Sequence, residues 1–143
     1  MLKHIDPLLN ADLLFALQNM GHGDRLAIVD ANFPAHSHAH RTYLSMPGVG
    51  ASKVLDSVLK HFPLDAFTEY PLMIMAADGS EQATEAAVDF MEVKNNSEES
   101  DHNSKLIDRH EFYSLARECQ LIISTNDVRP YACLILQKGV IFD

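Results

Sequence analysis

The sequence predicts one α/β domain over residues 1–143, three-layered and Rossmann-like, with a mostly parallel central sheet. Segments with helical spacing alternate with short apolar runs, the order that parallel strands joined by helical crossovers require. Those runs lack polar alternation, as strands covered on both faces do. At 143 residues, 47% hydrophobic and 22% charged, the chain has enough apolar material for one substantial core and too little length for a second full domain.

In chain order, Leu13, Leu14, Leu17 and Met20 share a helical face that begins after Asn10, a candidate N-cap, and stops at Gly21. Leu26 to Val29 reads as a buried strand, and Thr42 to Met46 as an edge strand. Val54, Leu55, Val58, Leu59 and Phe62 mark a second helix that Pro63 ends. Leu72 to Ala77 is the next buried strand. Ala83, Ala86, Ala87, Phe90 and Met91 follow as a third helical stripe, with Ser80 as its starting signal. The polar, acidic stretch Asn95-Asn96-Ser97-Glu98-Glu99-Ser100-Asp101 has no apolar periodicity and reads as a solvated loop; its spacing matches no calcium-loop pattern. Phe112, Leu115, Ala116 and Cys119 define a fourth helix, with Asp108 and Glu111 spaced as a capping box. Leu121 to Ile123 and Ala132 to Leu136 complete the buried strands, and Val140 to Phe142 suggests a terminal one.

Composition excludes several function classes. Twenty acidic residues against eleven basic ones give a formal net charge of -9, and no basic patch offsets it, so a nucleic-acid partner is not expected. A neutral sugar feels only local polar groups. No apolar stretch is long enough to cross a bilayer, and Met1-Leu2-Lys3-His4-Ile5-Asp6-Pro7 is not a signal peptide, which predicts a cytoplasmic protein without a membrane partner. Cys119 and Cys133 are too far apart for a local redox motif and are expected to be reduced. The sequence has no phosphate-binding glycine loop, nucleophile elbow or paired zinc motif, so any chemistry would run on side chains without a cofactor.

The candidate side chains begin with His22, set in Gly21-His22-Gly23-Asp24. Between two glycines its imidazole is sterically open, and an ordinary pKa of about 6.5 lets it donate and accept protons near neutrality. A histidine there could equally cap the carboxyl end of the first helix. Asp30 follows the first strand, where ligand crevices of α/β sheets form, although an aspartate so placed also caps turns. The segment it heads, through Asn32, Phe33, Pro34 and His36 to Ser37, mixes polar groups with a ring, as sugar-facing loops and ordinary loops both do. Arg109 follows the helix cap Asp108 and is either a surface arginine or a fork of donors for a hydroxyl. Tyr131, after Pro130, offers a ring to stack on a sugar or to fill a sheet edge. His36, His38 and His40 alternate, and on an extended segment they would point one way toward a transition metal, but no acidic or cysteine partner matches their register; no metal is expected.

These pieces together, Met20-Gly21-His22-Gly23-Asp24, Asp30-Ala31-Asn32-Phe33-Pro34-Ala35-His36-Ser37, Arg109 with Phe112-Tyr113, and Tyr131 before the closing strand, resemble the RbsD/FucU family of ribose pyranases and fucose mutarotases. The resemblance runs from Met1 to Val140, and the Asn32-Phe33-Pro34-Ala35 loop with Arg109 looks like the fucose branch. It implies a cofactor-free isomerase acting on a monosaccharide, L-fucose first, with ribose pyranase activity or a non-catalytic sugar-binding regulatory module on the same fold as alternatives. It further implies His22 as proton donor, Asp30 and Arg109 as sugar ligands, and Tyr131, Ala132 and Cys133 as the remaining contact strip. A ring-shaped homo-oligomer, commonly a decamer with active sites where subunits meet, is implied as well. Two positions depart from the family pattern: Cys133 stands where asparagine is usual, and Asn126-Asp127 where glycine and glutamate are usual.

Overall fold

A computed structural model of the chain describes residues 1–142. Helix α1 spans Ala11–Asn19, and Asn10 caps it by accepting from the Leu13 amide at 2.9 Å. Strand β1, Arg25–Val29, leads to the short helix α2, Ala35–His38, and then to β2, Thr42–Met46. Helix α3, Ala51–Leu59, precedes β3, Leu72–Met75; α4, Glu85–Asn95, precedes β4, Ser104–Ile107; and α5, Arg109–Glu118, precedes β5, Leu121–Thr125. The last strand, β6, is Leu134–Gln137.

The six strands form one sheet in the order β2-β5-β1-β6-β3-β4. Side-chain alternation along each strand divides the interior in two. Leu26, Ile28, Leu121, Ile123, Leu134, Leu136, Leu72 and Ile74 pack with residues of α1, α3 and α4. Ala27, Val29, Ile122, Ile135, Met73 and Met75 pack on the other face with residues of α2 and α5. Three layers result, as the apolar runs predict.

The sheet is mostly parallel, as expected, while several finer expectations are corrected. Strand β6 runs antiparallel to both its neighbours, while the other pairings, β1 with β5, β2 with β5 and β3 with β4, are parallel. The connection from β5 carries no helix and is shorter than the dozen or so residues a parallel crossover needs, so the chain turns back instead. Strand β4 has no counterpart among the predicted elements, because Ser104 and Lys105 dilute its apolar character at the sheet edge. Helix α4 begins at Glu85, capped by Thr84, whose hydroxyl accepts from the Ala87 amide at 3.1 Å; Ser80 instead closes a turn with Gln82. Val140 to Phe142 forms no strand and is exposed. The acidic stretch is largely exposed, as expected of a solvated loop, and is anchored by Glu99, which accepts from the Leu64 amide at 2.9 Å, and by Lys94, which donates to the Ser100 and His102 carbonyls.

Two backbone segments come unusually close where the sheet ends. The end of β6 meets the 63–65 segment through a bridge between Leu64 and Lys138 and a bond from the Gly139 amide to the Pro63 carbonyl at 2.8 Å. A Cβ at Gly139 would collide with the Leu64 carbonyl. Gly139→Ala is therefore expected to force this backbone apart at a cost of about 1–3 kcal/mol, and thermal denaturation should show a melting temperature lower by several degrees.

Candidate functional site

At the carboxyl edge of β1 the structure gathers four of the sequence candidates around a cavity of about 250 Å³: Asp30, Arg109, Tyr131 and Cys133, with Phe33 and Tyr113 among the other walls. Asp30 is buried, and its Oδ1 accepts from the amides of Asn32 at 2.9 Å and Phe33 at 2.8 Å, which fixes the loop that it heads. Its Oδ2 accepts from the Cys133 thiol at 3.3 Å, while its own amide donates to that sulfur at 3.4 Å. Burial, reinforced by the Asp30 carboxylate, pushes the Cys133 thiol well above its ordinary pKa, so it stays protonated and able to donate.

Arg109 opens α5 directly after its cap, Asp108, which accepts from the His110 and Glu111 amides. Only this half of the predicted capping box forms. One Arg109 terminal nitrogen lies 3.2 Å from Asp78, and Nε is enclosed without a hydrogen-bond partner among the described residues. Tyr131 adopts a left-handed backbone conformation with φ of 61°. Ala132 is fully buried with the opposite core, so its side chain is turned away from the cavity.

His22 lies elsewhere. Its turn, at the amino edge of β1, is closed by the Gly21 amide on the Asp24 carboxylate at 2.8 Å and by Gly23, whose φ of 85° needs a glycine. Two backbone bonds with Lys138 fasten the turn, and the Lys138 ammonium donates to the Leu17 and Met20 carbonyls at 3.0 and 2.6 Å. That ammonium, not His22, satisfies the end of α1, which decides against the helix-cap reading of the histidine. The half-exposed imidazole instead places Nε2 3.1 Å from Asp65 Oδ1, with the Phe67 ring 5.6 Å away.

Asp65 is the site residue that sequence reasoning missed. It is buried and accepts also from the Phe67 amide at 3.0 Å and the Gln137 side-chain amide at 2.8 Å. Burial works to raise its pKa, yet the donors from Phe67, Gln137 and His22 outweigh it and hold the carboxyl below its usual value. An ionised carboxylate only accepts, so Nε2 carries the hydrogen and Nδ1 is the ring atom left for other work. Nothing in the sequence around Pro63-Leu64-Asp65 announces a partner 43 positions away.

His22 and Asp30 therefore stand at opposite ends of β1, whose five residues rise roughly 17 Å. No single monosaccharide touches both within one copy of the chain. The alternating histidines also part company, because His36 and His38 lie on α2, where a two-residue step turns about 200° rather than returning to one face. His38 is buried against Phe33 and Tyr113 with Nδ1 3.0 Å from the Pro34 carbonyl, whereas His36 packs at the edge of Tyr43.

A model of the RbsD / FucU transport protein family matches residues 3–141. The chain is 30% identical over 141 residues to an L-fucose mutarotase of Haemophilus influenzae (strain PittGG), covering 98% of this chain and 97% of the relative. Among solved structures it is similar to FucU from Bifidobacterium longum, with 34% identity, a TM-score of 0.88 and coverage of 96% of this chain and 99% of the other. It is also similar to the fucose mutarotase in complex with L-fucose from Streptococcus pneumoniae, with 29% identity, a TM-score of 0.86 and coverage of 99% and 100%.

Replacing Asp65 by asparagine should destabilise the fold by about 1–3 kcal/mol at neutral pH, because three donors lose a charged acceptor. A carboxyl whose folded pKa is depressed stabilises fully above its unfolded value, near 3.8 here, and loses that contribution as pH falls through the folded one. Urea denaturation should thus show a wild-type advantage over Asp65→Asn that is constant from neutrality to mildly acidic pH and shrinks below 3.8.

Proposed function

Because this chain belongs to the RbsD / FucU transport protein family, we propose that it is a monosaccharide mutarotase, an isomerase interconverting the α and β anomers of L-fucose or a closely related sugar. Full-length similarity to L-fucose mutarotases carries this reading, and the carboxylate, guanidinium and aromatic groups around one small cavity support it.

A cyclic sugar is a hemiacetal. Exchange of its anomers needs a proton delivered to the ring oxygen and another removed from the anomeric hydroxyl; the open aldehyde then rotates about its terminal bond and recloses on the other face. General acid-base catalysis is enough for this, with no change of oxidation state. His22 is the proton-transfer group in this scheme. Asp65 holds Nε2, so the free Nδ1 takes the proton of the anomeric hydroxyl and passes it to the ring oxygen as the ring opens, and the reverse transfers reclose it. Asp30 accepts a sugar hydroxyl with the oxygen valence its own loop leaves over, and Arg109, whose enclosed Nε lacks a protein partner among the described residues, donates to another. Tyr131 supplies a ring and a hydroxyl at the cavity wall, Cys133 holds Asp30, and Ala132 contributes backbone alone.

With the length of β1, roughly 17 Å of strand, between the two groups, the working site in this reading is shared by two copies, His22 of one meeting the Asp30 cavity of the next. Exposed Phe67 beside the histidine, with exposed Phe142 near the Phe67 ring, supports burial of that edge against a neighbour. Such a contact joins unlike surfaces, whose repetition gives a ring where the rotation closes, in keeping with the decamer that the family resemblance implies. The two buried free thiols fit a reducing, cytoplasmic setting.

His22→Ala should lower the anomer exchange rate of L-fucose by at least about 100-fold in saturation-transfer NMR, without loss of the fold, since the side chain is half exposed. Unchanged exchange would remove His22 from the mechanism. Co-refolding His22→Ala with Asp30→Asn should regenerate activity that neither variant has alone, because mixed contacts restore intact sites; a mixture as inactive as its components would overturn the two-copy site.

A further inference from the structure

The cavity side chains Asp30 and Tyr131 sit on separate loops, one after β1 and one between β5 and β6. Besides the contacts of Cys133 with Asp30, a charged network outside the cavity joins those loops. Arg129 donates from Nε to Asp127 Oδ1 at 3.0 Å and from a terminal nitrogen to Asp127 Oδ2 at 2.8 Å, a two-point clasp of the carboxylate. Its other terminal contacts reach Asp89 Oδ2 on α4 at 3.0 Å and the Ser52 hydroxyl on α3 at 3.1 Å, and Ser52 in turn donates to Asp89 at 2.7 Å.

Asp127 carries the connection inward. Its Oδ2 accepts from the Ala51 amide at 3.1 Å, serving the first turn of α3, where Gly50 provides no side-chain cap. Its backbone carbonyl accepts from the Ala31 amide at 2.8 Å, beside Asp30, and its amide donates to Thr125, whose hydroxyl donates to the Val29 carbonyl at 2.8 Å. Two residues beyond Arg129, Tyr131 is held at φ 61°, a conformation that disfavours a residue with a Cβ and persists only where its surroundings impose it.

We propose that Arg129 is a positioning residue for the sugar cavity, locking Asp127 so that the Asp30 and Tyr131 loops are presented in one fixed geometry. The inference rests on the mutarotase reading for its substrate, but the lock itself does not. Hydrogen bonds from Arg129 to Asp127, and from Ser52 and Arg129 to Asp89, outweigh burial and keep both carboxyls ionised, so the network stays charged across the neutral range. Arg129 is not among the cavity walls, which in this loop are Pro130, Tyr131 and Cys133. Its effect must therefore appear in how sugar is held before it appears in the proton transfer.

The test compares Arg129→Met and Arg129→Lys with the wild type by saturation-transfer NMR over a range of L-fucose concentrations and by amide hydrogen exchange. Arg129→Met should raise KM about fivefold or more while kcat stays within about twofold. The Ala31 amide should exchange about tenfold faster while Ile74, in the middle of the sheet, keeps its protection. Arg129→Lys, which keeps the charge but not the two-point clasp, should recover part of both effects. Should Arg129→Met fail to fold, Asp89→Asn releases the tie to α4 while sparing the Asp127 clasp, and should move KM and Ala31 exchange in the same direction by less. An unchanged KM together with unchanged Ala31 protection overturns the lock. A wild type that does not exchange fucose anomers refutes the mutarotase reading alone, since Ala31 exchange still tests Arg129.

Discussion

The reversal of β6 is the constraint on which both halves of the candidate site depend. Inserted antiparallel between β1 and β3, this strand begins at the carboxyl edge of its neighbours and ends at their amino edge. Its beginning delivers Tyr131 and Cys133 to Asp30. Its end delivers Gln137 to Asp65, Lys138 to the His22 turn and Gly139 to the 63–65 backbone. A parallel β6 would put these groups at the wrong edges and leave Asp30 without its sulfur partner and the His22 turn without its anchor.

Electrostatics is handled separately at the two edges, although the chain carries a net charge of -9. Asp65 and Asp30 are both buried carboxylates, and among the described residues neither is paired with an arginine or a lysine. One backbone amide, a glutamine and the His22 imidazole surround Asp65, and two backbone amides and a thiol surround Asp30. Such donors stabilise charge without using up the cationic groups. Arg109 keeps an enclosed nitrogen for another acceptor, and Arg129 is committed to the network behind the cavity.

Much of this was legible in the chain. Asn10 and Asp108 are helix caps because their short side chains reach amides two and three residues ahead, a local relation that sequence displays directly. The apolar runs of β1, β3 and β5 revealed burial on both faces for the same reason. What stayed hidden depends on distance along the chain or on direction in space. Strand β4 owes its pairing to β3 rather than to its own composition, and Asp65 is defined by Gln137 and His22, 72 and 43 positions away. Direction was the subtler loss: Gly21 to Asp24 and Asp30 are close in sequence, yet the strand between them carries His22 and Asp30 to opposite edges. The brevity of the connection between β5 and β6 was the available clue to the reversal.

Cys133 illustrates how structure changes the meaning of a departure from a family pattern. As a sequence feature, a thiol in place of an asparagine reads as a lost contact to the sugar, because sulfur is a poor hydrogen-bonding group. In the fold the sulfur is directed at Asp30, receiving its amide and donating to its carboxylate, and almost none of the residue is exposed to the cavity. Its first effect is thus on the orientation and charge environment of Asp30. A thiol kept protonated by burial donates only weakly, so it leaves the carboxylate a stronger acceptor than a side-chain amide would. Under the proposed mutarotase reading, this position therefore acts on a sugar through Asp30, changing the strength of one contact rather than deleting another.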